Sequence, residues 1–219
     1  MQYYSLSDKG LKDTNEDWHL IKEYGRYYIF AIADGVGSLS EGKYASHFAL
    51  TNIFSIFEQN SIVDLEQIIL RVNTLLINES KNKQQRMATT IIVCIVDIKT
   101  KEVEIAHVGD SRAYVINTNI WKTKDHTLVQ DLVDIKVITE IEALTHPERH
   151  RMSRALGIIE NVEVDIHKKL VADSILLLCS DGLSGYVSDE EIVKIVKNYD
   201  PENACKKLTQ LAKIGRAHV

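Results

Sequence analysis

The sequence predicts an α+β protein in which helices cover the faces of antiparallel sheets. Residues 88–117, ATTIIVCIVDIKTKEVEIAHVGDSRAYVIN, consist of apolar runs rich in Val and Ile that are separated by short polar turns. Consecutive strands joined by short turns pair antiparallel. Apolar residues recur at helical spacing both before and after this block, and helices in such positions pack on the faces of a sheet.

The elements follow from the period of the apolar residues. Unbroken or alternating apolar runs predict strands at Tyr27–Ala33, Ala88–Asp97, Glu102–Val108, Ala113–Asn117 and Ser174–Cys179. Apolar residues three and four positions apart predict helices at Tyr44–Gln59, Leu65–Glu79, Glu190–Tyr199 and Glu202 to about Lys213. The spacing of Ser188 and Glu191 is that of a capping box, which marks the start of the third helix.

Length and composition are those of one globular domain, or at most two small ones. The chain has 219 residues, 45% of them hydrophobic, and a net charge of −5. The negative charge argues against nucleic acid as a partner, and neither a membrane span nor a signal peptide is recognisable. Three widely spaced cysteines, Cys94, Cys179 and Cys205, fit a reducing compartment better than a disulfide framework. We therefore expect a cytoplasmic, monomeric protein.

Three aspartates come at or just after the ends of apolar strands. Asp34 ends the run IFAIAD, Asp110 follows VEIAHV, and Asp181 follows LLLCS. Taken singly, each is more typical of a tight turn, and GDSR alone is typical of a hairpin turn with a local Asp–Arg pair. Taken together they indicate a site, because clustered carboxylates repel one another and require a cation among them. Oxygen ligands of this kind suit Mg²⁺ or Mn²⁺.

Other polar residues give weaker signals. Asn15, Glu16 and Asp17 alone predict a solvated loop. The histidines do not indicate a zinc site, because none of them has the spacing of a zinc motif. His107, which lies within a strand, is predicted to be a packed side chain.

Seven segments then occur in an order that resembles a known family. They are SDKGLKDTNEDWHL, AIADGVGSLSEGKYAS, ATTIIVCIVD, AHVGDSRAYVI, TKDHTLVQDLVD, HPERHRMSRALG and LLLCSDGLSGYVSDEEI. This series closely resembles the motifs of the PP2C (PPM) protein serine/threonine phosphatases, and the bacterial branch is the most similar. The resemblance implies a four-layer α/β/β/α sandwich of two antiparallel sheets flanked by helices, with a two-metal centre at one end.

The resemblance also implies how the strand-end residues act. Asp34 would bridge two Mn²⁺ or Mg²⁺ ions, Gly35 would offer its carbonyl oxygen to one of them, and Asp181 would bind the other. A hydroxide bridging the ions would attack the phosphorus of phosphoserine or phosphothreonine directly, without a phosphoenzyme. The expected substrates are phosphoproteins, made by a bacterial Ser/Thr kinase.

Further roles follow from the same likeness. Glu16 and Asp17 match an acidic pair near the centre, with Asp17 holding a metal through water, and Asp110 matches part of a weaker third ion site. Lys12 stands where the family usually has arginine, and it is expected to attract the substrate phosphate without making a bidentate fork. The alternative for Lys12 is an exposed loop lysine.

Some positions depart from the family pattern. Val36 stands where some members have a histidine that is proposed as general acid, so that leaving-group protonation would fall to metal-bound water. Ser38 replaces the last glycine of the ADG-x-GG motif, and Ser184 and Gly185 stand where some relatives have another third-metal aspartate. The chain also lacks the family's DN-[IM]-T motif. We expect residues 1–213 to be a phosphatase domain without its last strand, and residues 214–219 to be a non-native tail.

Two other functions remain open at this stage. A catalytically inactive phosphoprotein-binding domain would have the same fold, and a Mg²⁺ hydrolase of another kind would require the order of the motifs to be coincidental. Residues Asp125 to His150 match the family's flap, which lies beside the active site. Their alternative is a surface helical hairpin.

Overall fold

The computed structural model describes residues 1–36, 41–59 and 64–217. Its strands are β1 (Asp17–Tyr24), β2 (Tyr27–Asp34), β3 (Ile91–Asp97), β4 (Glu102–Val108), β5 (Arg112–Ile116), β6 (Ile120–Lys122), β7 (Asp165–Leu170) and β8 (Ile175–Cys179). Its helices are α1 (Gly42–Gln59), α2 (Leu65–Lys83), α3 (Leu128–Asp134), α4 (Glu140–Thr145), α5 (Asp181–Ser184), α6 (Asp189–Asn198) and α7 (Pro201–Ala217).

The strands form two antiparallel sheets. The first has the order β1-β2-β3-β4-β7, and the second has the order β6-β5-β8. β4 and β5 are consecutive in the chain but belong to different sheets, so the connection Gly109–Ser111 crosses from one sheet to the other. The antiparallel pairing expected of these consecutive strands is therefore wrong for β4 and β5, and the alternative of a hairpin turn at GDSR does not hold.

Three buried clusters show how the layers stack. Alternate residues of β3 belong to two different clusters, because neighbouring side chains of a strand point to opposite faces. Ile91, Val93 and Ile95 pack with α1 and α2, and the residues between them pack against the second sheet. The other face of the second sheet packs on α6 and α7. The result is the predicted four-layer arrangement of helices, sheet, sheet and helices.

Most predicted elements are confirmed within a few residues, and three strands are additional. β1 and β7 form the two edges of the first sheet, and their sequences DWHLIKEY and DIHKKL are too polar to give an apolar run. Edge strands carry charged residues because they face water on at least one side. The third additional strand, β6, has three residues. Asp17 therefore begins a strand rather than lying in a solvated loop.

The last helix reaches the end of the described chain, and none of the described helices is suited to crossing a membrane. Helix α7 runs to Ala217, so the helix extends into the segment 214–219, whose non-native character stays a prediction. Within the described part of the chain, no helix has the length and apolar character needed to cross a membrane.

Candidate active site

The acidic residues gather where strands of both sheets end. Asp17 begins β1 and lies directly opposite Asp34, the last residue of β2, in the antiparallel register. Asp181 comes two residues after the end of β8, at the start of α5. A cleft of about 420 Å³ opens here, and its lining includes the predicted residues Lys12, Glu16, Asp17, Asp34 and Asp181.

Two threonines hold the backbone of Asp34 in place. The Asp34 N–H donates to Thr90 Oγ1 at 3.0 Å, and the Asp34 carbonyl accepts from the Thr90 N–H at 2.8 Å and from Thr89 Oγ1 at 2.9 Å. Because each backbone polar group of Asp34 has a partner, its carboxylate projects from a fixed strand end.

The electrostatics of the cluster are unfavourable without a cation. Burial raises the pKa of Asp34 far above its ordinary value, and the charges of Asp17, Asp181 and Asp110 raise it further. Burial, followed by the charges of Asp181 and Asp125, raises the pKa of Asp110 to about 7. Asp110 does not line the cleft itself, but its charge raises the pKa of Asp34, and the charge of Asp181 raises the pKa of Asp110. The structure therefore brings together all four predicted aspartates.

Lys12 places a positive charge at the cleft. Its Nζ lies 3.3 Å from Glu16 Oε2, and its side chain is 44% exposed. Burial alone would lower the pKa of Lys12, but Asp34 and Glu16 outweigh burial and raise it. Lys12 is thus a charged group that faces the carboxylates and is still accessible from solvent.

Gly35 sits where no side chain fits. A Cβ at Gly35 would lie 2.1 Å from the carbonyl oxygen of Gly42, at the start of α1. The Gly35 N–H donates to the Glu16 carbonyl at 3.1 Å, which links this residue to the segment that precedes β1. Val36 continues the chain with a hydrogen bond from its N–H to the Ala88 carbonyl, and Ser38 lies outside the described residues.

The arginine of GDSR has a different partner from the local aspartate that the hairpin alternative required. Arg112 makes a bidentate ion pair with Asp125, at 2.8 and 2.7 Å, and not a local pair with Asp110. This geometry matches the planar fork of the guanidinium group to a carboxylate. The pair fixes the start of the segment predicted to be the flap, which forms α3 and α4, and whose His150 lines the cleft.

Sequence reasoning missed two groups of residues. Ser180, whose Oγ donates to Asp17 Oδ2 at 2.8 Å, gives no signal besides its place before Asp181. His107, His126 and Asp165 bring their ligand atoms within 4.8 Å of one another, close enough to hold a metal by distance alone. Residues from three separate segments form this group, so no spacing motif reveals it. His107 is fully buried, as predicted for a packed side chain.

Comparison with known proteins gives a consistent result. The family described as Protein phosphatase 2C matches residues 11–214. The serine/threonine phosphatase stp of Listeria monocytogenes serotype 4b (strain F2365) is 33% identical over 207 residues, which cover 88% of this chain and 81% of that protein.

Solved structures agree with this match. The serine/threonine phosphatase Stp1 of Staphylococcus aureus superposes with a TM-score of 0.88 at 33% identity, covering 98% of this chain and 89% of that one. The Mycobacterium tuberculosis serine/threonine phosphatase PstP/Ppp gives a TM-score of 0.85 at 30% identity, covering 98% and 92%. The chain therefore belongs to the protein phosphatase 2C family of serine/threonine phosphatases.

Proposed function

We propose that this phosphatase depends on two Mn²⁺ or Mg²⁺ ions, held at the acidic end of the cleft, and that it hydrolyses phosphoserine and phosphothreonine in proteins without a phosphoenzyme. The observation that carries the proposal is that Asp17 and Asp34 lie opposite each other at their strand ends and line one cleft together with Asp181. Burial and the neighbouring carboxylates raise the pKa of Asp34, so a half-buried carboxyl group in this position stays ionised at neutral pH only when cations compensate the charge.

The donor set fits hard divalent cations. Asp34 would bridge the two ions, the Gly35 carbonyl and Asp181 would complete one coordination shell each, and Asp17 would act through water. Oxygen ligands from carboxylates and carbonyls are those that Mg²⁺ and Mn²⁺ prefer. When bound, two such ions supply an acidified water molecule and neutralise charge on the phosphoryl oxygens.

Glu16 and Asp110 complete the proposed set. Glu16 lines the cleft and neutralises part of the charge of Lys12, and Asp110 would contribute to a weaker third ion site. Neither Ser184 nor Gly185 offers a carboxylate to that site.

Lys12 is the cationic group of the cleft that we propose for substrate binding. The Lys12 ammonium attracts the phosphate dianion to the cleft and acts as a point charge, so it does not fix the orientation of the phosphate as a guanidinium would. Lys12 and His150 both line the cleft that the phosphorylated side chain would enter. We propose cytoplasmic phosphoproteins as substrates, phosphorylated by a bacterial Ser/Thr kinase, and a monomer as the active form.

The test is hydrolysis of p-nitrophenyl phosphate and of a phosphothreonine peptide with and without Mn²⁺. The variant Asp34→Asn removes the bridging charge and keeps the shape of the side chain. Asp173→Asn is the matched control, because Asp173 is exposed and has a positive φ of 52° that asparagine tolerates. We expect turnover by the wild type and by Asp173→Asn, and a loss of at least about 10³-fold for Asp34→Asn.

Two results would contradict the proposal. Equal turnover by Asp34→Asn would exclude this carboxylate from the reaction. Absence of turnover by the folded wild type in Mn²⁺, together with saturable binding of the phosphothreonine peptide, would favour an inactive phosphoprotein-binding domain instead.

A further inference from the structure

His126 holds the turn that carries Asp110 from both sides. The Gly109 N–H donates to His126 Nδ1 at 3.0 Å, and the His126 backbone N–H donates to the Gly109 carbonyl at 2.8 Å. Gly109 has a φ of 116°, and a Cβ there would lie 2.6 Å from Thr90 Cβ. The turn is therefore confined by its own conformation, by Thr90 and by both polar groups of its glycine.

The hydrogen bonds fix the tautomer of the His126 ring. Because Nδ1 accepts from the Gly109 N–H, the proton of the neutral ring is on Nε2. Nε2 lies 3.3 Å from Asp165 Oδ2, and the other oxygen of Asp165 accepts from Arg154 Nη1 at 3.0 Å. Burial lowers the pKa of His126, and Asp165 opposes that effect. Asp165 is thus placed to orient a neutral His126.

The same hydrogen bonds argue against a metal ion between His107, His126 and Asp165. A metal on His126 Nε2 would move the ring proton to Nδ1, where it would face the Gly109 N–H and break that hydrogen bond. The two histidine rings stack at 4.5 Å with an interplanar angle of 28°. Both nitrogens of His107 are buried without a hydrogen-bond partner in the described structure, so His107 acts as a flat packing surface for His126.

We propose that His126, oriented by Asp165, is a positioning residue that fixes the Gly109–Asp110 turn and thereby holds the Asp110 carboxylate against the metal-binding aspartates. The proposal rests on the metal-binding function proposed above for Asp110. The connection is short: Gly109 is covalently joined to Asp110, whose charge acts on Asp34 and which is itself within reach of the charge of Asp181.

Two substitutions at His126 test the roles of its two ring nitrogens, Nδ1 and Nε2, separately. In His126→Asn, the side-chain oxygen reaches the place of Nδ1 and can still accept from the Gly109 N–H. In His126→Gln, the amide reaches the place of Nε2 and can still donate to Asp165, but the acceptor for Gly109 is lost. A buried N–H without a partner costs more than a lost contact to a half-buried carboxylate such as Asp165, so the glutamine variant is expected to be the damaging one.

The first readout is hydrogen exchange of the Gly109 amide in the metal-free protein, which does not depend on catalysis. We expect protection in the wild type and in His126→Asn, and exchange at least about 10-fold faster in His126→Gln. The second is the Mn²⁺ concentration for half-maximal activity, expected to rise about 10-fold in His126→Gln with KM for the phosphopeptide unchanged. His167→Gln is the control, because His167 lies on β7 and packs on Trp121 outside this hydrogen-bond chain.

A second variant keeps the test informative if His126→Gln does not fold. Asp165→Asn keeps the shape of the partner and removes its charge, and we expect it to raise the Mn²⁺ requirement about threefold. Unchanged Gly109 exchange and an unchanged Mn²⁺ requirement in His126→Gln would overturn the proposal. So would a metal ion that survives EDTA treatment of the wild type and is lost in His107→Phe. An inactive wild type with a protected Gly109 amide would instead refute the proposed metal-dependent catalysis and leave the hydrogen-bond arrangement standing.

Discussion

Ser180 donates a hydrogen bond of 2.8 Å from its Oγ to Asp17 Oδ2, across 163 positions of the chain. Asp17 begins β1 in the first sheet, and Ser180 follows β8 in the second sheet. The bond therefore joins the two sheets at the cleft, which both residues line, and it fixes one oxygen of a carboxylate that we propose as a metal ligand.

Removal of this hydroxyl is expected to loosen the metal site without unfolding the protein. In Ser180→Ala, Asp17 loses a hydrogen bond to a charged group, which is worth about 1.5–3 kcal/mol. We expect the Mn²⁺ concentration for half-maximal phosphatase activity to rise about 10-fold, with the rate at saturating Mn²⁺ reduced less than about threefold. Ser180→Thr keeps the hydroxyl and serves as the control. Equal Mn²⁺ requirements for the alanine and threonine variants would show that the bond does not position Asp17.

The raised pKa of Asp110 predicts how the metal-free protein responds to pH. The pKa of Asp110 rises from an ordinary value of 3.8 to about 7 in the folded state, mainly because of burial. The folded protein therefore keeps a proton that the unfolded chain has lost, and this contribution to stability is full below pH 3.8 and disappears as the pH rises through 7. In Asp110→Asn the side chain does not titrate, so the stability of this variant lacks this dependence on pH.

The measurement is urea unfolding in EDTA at pH 5 and at pH 8. Between these pH values the free energy of unfolding of the wild type should fall by about 2 kcal/mol more than that of Asp110→Asn. Comparison with the variant cancels the titration of other groups such as His126. Parallel pH profiles for the two proteins would contradict the raised pKa of Asp110.

Lys12 is expected to contribute to substrate binding more than to the chemical step. Lys12→Ala removes a charge that lies beside the cleft and should raise KM for a phosphothreonine peptide about 10-fold, with kcat reduced less than about threefold. Lys12→Arg restores the charge and adds a bidentate fork, so it should bring KM to the wild-type value or below it. Lys99→Ala, at an exposed turn between β3 and β4, is the control. A KM unchanged in Lys12→Ala would identify Lys12 as an ordinary loop lysine.

The fold and the acidic residues could be predicted because they leave local signals. β3, buried on both faces, gives a continuous apolar run, and the aspartates lie at the end of such runs or two residues after it. The polar edge strands β1 and β7 give no such signal, because their pairing partners, and not their own side chains, determine their conformation. Periodicity alone does not predict that two sheets stack. That prediction comes from the order of the motifs and the family that this order resembles.

The supporting contacts could not be predicted for a related reason. Asp125, rather than Asp110, pairs with Arg112, and Asp165 orients His126 from a strand that the sequence did not reveal. Such partners come from segments far apart in the chain, and their spacing is free to vary as long as the fold brings them together. The sequence therefore predicts the aspartates of the site more readily than the residues that position the site.

Gly35 allows the most direct test of the packing beneath the acidic cluster. In Gly35→Ala the added methyl group would overlap the Gly42 carbonyl at 2.1 Å, and because this contact is with backbone, no side-chain rotation relieves it. We expect a loss of at least about 3 kcal/mol in the free energy of unfolding, and a loss of activity.

Gly182→Ala is the matched control, because it also adds a methyl group beside a predicted metal ligand. Its Cβ would lie 3.5 Å from Ser180 Oγ, an ordinary contact, and its position in α5 favours alanine by about 0.5–1 kcal/mol. Chemical unfolding of both variants in EDTA separates packing from metal binding. A Gly35→Ala protein as stable as Gly182→Ala would show that α1 can move away from the end of β2, and that the carboxylate of Asp34 is held less rigidly than its backbone contacts imply.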